Sequence, residues 1–237
     1  MKFLAIIPAR GLSKGIPRKN LRLIAGKPLI AWTIEAALNA KGVDRVIVST
    51  EDEEIAKVAR QYGAEVPFLR PLELSQDETP TLPVLQNVVF ELKSLENFVP
   101  DAVITLQPTS PLRTSEHIDN AIERLKEDPL ADSLVSCIEV PHIFHPLSVM
   151  KKSQHGYLEN YLEKKEGVRV YRRQDKERVW ARNGAAIYIT KINCLEKFIF
   201  GGNILPFEMD LNSSVDIDTE EDFFIAEELL KNNLFKS

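Results

Sequence analysis

The stretch Phe3-Leu4-Ala5-Ile6-Ile7-Pro8-Ala9-Arg10-Gly11-Leu12-Ser13-Lys14-Gly15-Ile16-Pro17-Arg18-Lys19-Asn20 sets an uninterrupted apolar run directly before a loop rich in cations and glycine. Residues 3–7 have the character of a strand buried on both faces of a parallel sheet. Gly11 and Gly15 let the backbone approach a ligand closely, and Arg10, Lys14, Arg18 and Lys19 place four positive charges within ten residues. A triphosphate needs that combination of close backbone N–H groups and cations. The alternative is a solvated basic turn.

Working outward, apolar runs at 45–49, 102–106, 133–140 and 185–189 have strand character. Segments with helical spacing separate them: one opening at Pro28, then 53–62, 81–95 and 115–126. Thr219-Glu220-Glu221-Asp222 has the pattern of a helix start, followed by a stripe of Phe223, Ala226, Leu229 and Leu230. The alternation predicts an α/β fold, a mostly parallel sheet flanked by helices. We expect a single domain over 1–237, interrupted by an excursion at about 141–182 that lacks clean βα alternation. That excursion either covers the site, meets another subunit or is an exposed loop.

Two familiar phosphate motifs are absent. The P-loop needs Gly-x-x-x-x-Gly-Lys-Ser/Thr, whereas Gly11 and Gly15 are four apart and Ile16 follows the second. The dinucleotide fingerprint Gly-x-Gly-x-x-Gly fails because Leu12 and Ser13 follow Gly11.

Four ordered motifs carry a resemblance. Ile7-Pro8-Ala9-Arg10-Gly11, Ser13-Lys14-Gly15-Ile16-Pro17 and Lys19-Asn20 resemble the opening signature of the acylneuraminate cytidylyltransferases, the CMP-sialic acid synthetase family. Leu69-Arg70-Pro71 with Glu73-Leu74 and Asp77, then Gln107-Pro108-Thr109-Ser110-Pro111-Leu112-Arg113, then Ser214-Val215-Asp216-Ile217-Asp218-Thr219, agree in order. The resemblance implies a Rossmann-like nucleotidyltransferase sheet, with the excursion as a dimerisation lobe. It implies transfer of CMP from CTP to the anomeric hydroxyl of a nonulosonic sugar acid, with release of pyrophosphate and a need for Mg²⁺, or Mn²⁺ in its place. By resemblance, Arg10, Ser13, Lys14 and Lys19 lie on the triphosphate side, Asn20 near the ribose and base, and Arg70 and Thr81 at the cytosine. Thr81 equally suits a helix cap. Leu12 stands where many relatives have glycine, which restricts the loop without removing a phosphate-binding group.

Asp216 and Asp218 stand two apart, so in extended chain their carboxylates share one side while Ile217 turns into the core. A hard cation with substrate phosphate suits that pair. Asp218 as a helix cap, or either residue as general base, remains open. Gln107 follows a strand end, where open α/β sheets bind ligands, and is a candidate sugar contact or a turn-stabilising residue. Arg113 has two readings, reaching the site or pairing with Glu116. The stretch from Arg178 to Tyr188 resembles the family's Arg-x-Asn-Gly-Ala-Ile-Tyr element with one extra alanine, so the resemblance implies that Arg182 or Arg178 takes the sugar carboxylate and leaves the choice open. His142 and His145 have no third ligand nearby in sequence.

Composition sets the limits. A chain of 237 residues with 44% hydrophobic content can build a continuous core. A net charge of −5 argues against a broad polyanion-binding surface. Cys137 and Cys194 are too isolated for metal spacing and suit a reduced state. No apolar stretch approaches a membrane span, and Met1-Lys2 leads straight into a strand, so a cytoplasmic location is expected. Competing functions are a Kdo or other sugar nucleotidyltransferase, and, in a different class, a non-catalytic nucleotide-binding regulator.

Overall fold

The computed structural model describes residues 1–12, 15–162 and 176–232. In chain order the strands are β1 (Phe3–Pro8), β2 (Leu23–Ile24), β3 (Lys27–Pro28), β4 (Arg45–Ser49), β5 (Ala102–Thr105), β6 (Ser133–Glu139), β7 (Met150–Lys152), β8 (Leu158–Asn160), β9 (Trp180–Arg182), β10 (Tyr188–Lys191) and β11 (Ile204–Glu208). The α-helices are α1 (Leu29–Asn39), α2 (Glu53–Gln61), α3 (Thr81–Glu96), α4 (Ser115–Glu127) and α5 (Glu220–Asn232).

The main sheet runs β11-β6-β10-β5-β1-β4, with β9 also paired to β6. β1 is parallel to β4 and β5, and β11 is parallel to β6, whereas β10 lies antiparallel between β5 and β6. Side-chain alternation along β1 divides the core. Phe3, Ala5 and Ile7 pack with α1, α2 and α4, while Leu4 and Ile6 meet Leu85, Val88 and Leu92 of α3 on the other face. Burial on both faces explains why the run is continuously apolar.

Two of the helix starts that follow the strands are capped by side chains. Asp52 accepts from the N–H groups of Glu54 and Ile55 at the start of α2. Thr114 opens α4 with a reciprocal box in which the imidazole of His117 replaces the usual acid or amide. The predicted start at Thr219 is also a reciprocal pair, Thr219 N–H to Asp222 at 2.8 Å and Asp222 N–H to Thr219 Oγ1 at 3.2 Å. Asp218 is therefore not the cap.

The structure moves one predicted strand. The run at 185–189 divides into a turn, with Gly184 and Ala185 at φ of 74° and 64°, and β10 beginning at Tyr188. Apolarity marked the segment as buried, but carries no information about where a left-handed turn ends. Within the excursion, β7 and β8 form a hairpin and β9 returns to the main sheet. Among the described residues no helix is long and apolar enough to cross a membrane.

Candidate active site

Three chain segments converge at the ends of β1 and β5. The first is the basic loop. Its Ile16 is fully buried with Ile217, Leu112, Phe223 and Leu230 in a cluster beneath α5. Ile217 is the residue between the two aspartates, and its burial matches the expected inward orientation. Burying side chains of this size contributes about 1.5–3 kcal/mol each. One apolar cluster thus clamps the basic loop and the acidic couplet together.

Polar contacts repeat that junction. Lys19 Nζ donates to the Ile217 carbonyl at 2.6 Å and stands 3.5 Å from an Asp218 carboxylate oxygen. A β-carbon on Gly15 would lie 2.6 Å from the Asp218 carbonyl oxygen, so the loop approaches the couplet as closely as glycine permits. Ile217 N–H donates to the Thr109 carbonyl at 2.8 Å, which ties the couplet to the turn after β5.

Arg10, Gly15, Lys19, Asn20, Gln107, Thr109 and Asp218 line a cavity of about 230 Å³. An adjoining one of about 260 Å³ is lined by Arg10, Arg70, Asp77, Thr81 and Gln107 among others, so that Pro8, Arg10 and Gln107 form a shared wall. Arg10 reaches Asp77 at 2.5 Å, and Asn20 donates to the Arg10 carbonyl at 3.0 Å. Thr81 is the first residue of α3, behind Pro80 as N-cap, and is not itself the cap. Ser13 and Lys14 lie outside the described residues.

Asp216 lines neither cavity; it accepts from Ser110 Oγ at 3.4 Å, beside the turn after β5. Burial pushes its carboxyl above the usual range, the nearby Asp218 adds to that, and Thr109, Ser110 and Lys19 act in the opposite direction. A β-carbon on Gly184, held at φ of 74°, would collide with the Asp216 carboxylate. The two carboxylates, with Lys19 beside them, form an oxygen-only pair. That donor set fits Mg²⁺, which takes one or two carboxylates and completes its shell with phosphate and water. Among the described residues no cluster of three or more His, Cys, Asp and Glu offers an all-protein metal cage.

Sequence reasoning passed over two positioning residues, Asn183 and Glu51, and misassigned a third, Arg113. Asn183 is buried, accepts from Ser136 Oγ at 2.6 Å and donates to Ser214 Oγ at 2.8 Å, lacing the Gly184 turn to the segment before Asp216. Glu51 accepts from Gly11 N–H at 2.7 Å and from Arg70 at 2.6 Å. Arg113 neither reaches the cavity nor pairs with Glu116. It is buried and donates to the Ala186 carbonyl at 2.5 Å, Thr33 Oγ1 at 2.6 Å and the Gln107 carbonyl at 3.4 Å. Burial lowers its pKa to about 9, against the pull of Asp216. Only the position of Gly184 beside Asn183 in a motif hinted at these roles; Glu51 lies in an ordinary-looking helix start.

The two candidate arginines separate. Arg178 pairs with Glu139 and lines a different cavity of about 360 Å³ with His142, His145 and Glu177. Arg182 lies over the Phe200 ring at 4.8 Å and interacts with Tyr188, whose hydroxyl also feels Asp216, and it lines neither site cavity. His145 is consumed structurally: Leu147 N–H donates to its Nδ1, and its Nε2 faces the Glu177 carbonyl at 3.0 Å. The larger cavity contains no part of the basic loop or couplet.

The sequence profile of the cytidylyltransferase family matches residues 4–237. The chain belongs to this family. It is 35% identical over 235 residues to a CMP-N,N'-diacetyllegionaminic acid synthase from Legionella pneumophila, covering 98% of each chain. It is 36% identical over 234 residues to a pseudaminic acid cytidylyltransferase from Campylobacter jejuni, again with 98% of each covered. A solved CMP:2-keto-3-deoxy-manno-octonic acid synthetase in complex with CTP shares the fold, at a TM-score of 0.72 and 21% identity over 98% of this chain and all of that one. The family assignment makes this chain a nucleotidyltransferase.

Proposed function

We propose that this cytidylyltransferase transfers CMP from CTP to the anomeric hydroxyl of a nonulosonic acid such as N-acetylneuraminate, legionaminate or pseudaminate, in the cleft between the basic loop and the acidic couplet. The sugar oxygen forms a bond to the α-phosphorus, the bond from that phosphorus to the bridging oxygen breaks, and pyrophosphate departs with the electron pair. The hydroxyl proton passes to a carboxylate of the couplet or to water. The observation that carries this reading is Lys19 touching both Ile217 and Asp218 across one cleft.

In this reading Arg10, Lys19 and the loop holding Ser13 and Lys14 bear the triphosphate charge. Asn20 orients the ribose side, and Arg70 and Thr81 face the base in the adjoining cavity. Gln107, on the wall common to both cavities, contacts the sugar, and Arg182 takes its carboxylate. Asp216 and Asp218 would hold Mg²⁺, which, when bound, neutralises phosphate charge and acidifies the attacking hydroxyl. Positioned cations are what such a reaction demands, because nucleotide, sugar acid and leaving group are all anionic. The excursion at 141–182 serves as a dimerisation lobe on a single cytoplasmic catalytic domain. Its exposed Ile143, Phe144, Met150, Tyr157, Leu158 and Trp180 support that role.

The test is pyrophosphate release from CTP with Mg²⁺ and a panel of sugar acids. Turnover with at least one nonulosonic acid, exceeding that with Kdo, is expected. Preference for Kdo would transfer the chain to the other substrate class, and CTP binding without any turnover would make it a nucleotide-binding regulator.

A further inference from the structure

Of the four carboxylates on the chain leaving β4, Glu51 to Glu54, three bind the basic loop or Arg70. Asp52 and Glu54 both engage Arg18 of the basic loop. Glu51 is the branch point. One of its oxygens accepts from Gly11 N–H at 2.7 Å, and the other accepts from Arg70 Nη2 at 2.6 Å. Arg70 is further fixed by Ser75 Oγ on its Nε at 3.0 Å, and its own N–H is bound by the Thr50 carbonyl at 2.8 Å. Nε and Nη2 are therefore committed, and Arg70, held by them, lines the cavity shared with Thr81 and Gln107. Burial works to raise the Glu51 carboxyl, but the Gly11 and Arg70 bonds outweigh it and hold the group below its usual range.

We propose that Glu51 is a positioning residue for nucleotide selection, locking Arg70 and the Gly11 backbone into one unit so that base discrimination and triphosphate grip are set together. The inference rests on the CTP reading above. A guanidinium lining the cavity with Nη1 free of the Glu51 and Ser75 bonds can donate to the N3 and O2 acceptors of cytosine, whereas uracil presents an N3–H donor in place of N3. Freed of Glu51, the guanidinium loses its fixed direction and with it the basis for that choice.

The experiment measures CTP and UTP binding by calorimetry, together with steady-state pyrophosphate release, for the full chain and its E51Q and E51D variants. The E51Q side chain keeps an acceptor for Gly11 but sets an amide donor against the guanidinium. A lost hydrogen bond to a charged group corresponds to about a tenfold to hundredfold change, so E51Q should lower the CTP/UTP affinity ratio and raise KM for CTP by about that factor. Its kcat and its KM for the sugar acid should stay within about threefold, since neither reports the Arg70 contact. E51D should recover part of the ratio. A folded E51Q with the wild-type ratio overturns the proposal, as does a uniform decline of all parameters that E51D does not relieve. Should E51Q fail to fold, E51D provides the same reading, a lowered ratio supporting the role and an unchanged one overturning it. Wild-type protein that binds CTP but turns over no sugar acid refutes only the proposed reaction, whereas wild-type protein that binds no CTP ends both.

Discussion

Gly15→Ala probes the junction on which the site depends. The added methyl would lie 2.6 Å from the Asp218 carbonyl oxygen, against 3.4 Å or more for an ordinary contact. The obstacle is backbone, so no side chain can rotate out of the way. A displacement of about 0.8 Å must come from the loop or from the couplet. Both are anchored by buried isoleucines in the same cluster, Ile16 and Ile217, so the strain is shared between them. Overpacking of this kind costs about 1–3 kcal/mol, and for a chain of this size that lowers Tm by roughly 2–12 °C. Misplacing reacting groups by about an ångström costs on the order of a hundredfold, so kcat should fall by roughly ten- to a hundredfold. KM for CTP should move less, because the loop cations are retained. Pyrophosphate-release kinetics and thermal melts read both quantities. Gly26→Ala is the control: its φ of 90° brings strain, but nothing lies within 4 Å of the new carbon. It should lose about 1 kcal/mol of stability and leave kcat unchanged. Wild-type kcat and Tm for Gly15→Ala would refute the close approach of loop and couplet.

Three other perturbations follow from the geometry. Asp216 has a raised carboxyl, so its ionised form is disfavoured in the fold and the stability it contributes is lost as pH rises through its folded value. Asp216→Asn should therefore raise Tm at neutral pH without metal while lowering turnover by orders of magnitude; a lower Tm would contradict the burial argument. Glu51 and Asp52 are depressed, with Arg18 the leading cause at Asp52, so their contribution is present above the ordinary carboxylate range and is lost as pH falls through their lowered values. Denaturant titrations should show stability declining with acid, less steeply in an Asp52→Asn variant. Arg182→Ala should raise KM for the sugar acid by about ten- to a hundredfold with CTP little affected, while Arg178→Ala leaves both near wild type; the reverse pattern would exchange their roles.

Much of the architecture was legible because periodicity and chemistry agreed. β1, β4 and the helices α2 to α5 lie where apolar spacing and capping residues placed them, and Ile217 turns inward between its acidic neighbours as alternation requires. The antiparallel insertion of β10 was not legible, since a doubly buried strand is apolar whichever way it runs. β11 escaped notice because Pro206 and flanking polar residues dilute its pattern, as suits a strand at the sheet's margin. In the site, Arg10, Lys19, Asn20, Gln107 and Asp218 were marked by a dense motif and do share a cavity. Glu51, Asn183 and Arg113 act through partners far along the chain, such as Gly11, Ser214 and Ala186. Pairings of that kind arise from topology and leave no local signature.

The central claim, that the basic loop and the acidic couplet grip one metal-bound CTP, is tested most directly by a crystal structure with CTP and Mn²⁺, read by anomalous scattering. The account predicts a manganese peak coordinated by Asp216, Asp218 and a phosphate oxygen, with Arg10 and Lys19 on the triphosphate and the base beside Arg70. A nucleotide seated elsewhere, or manganese bound away from both aspartates, would contradict it.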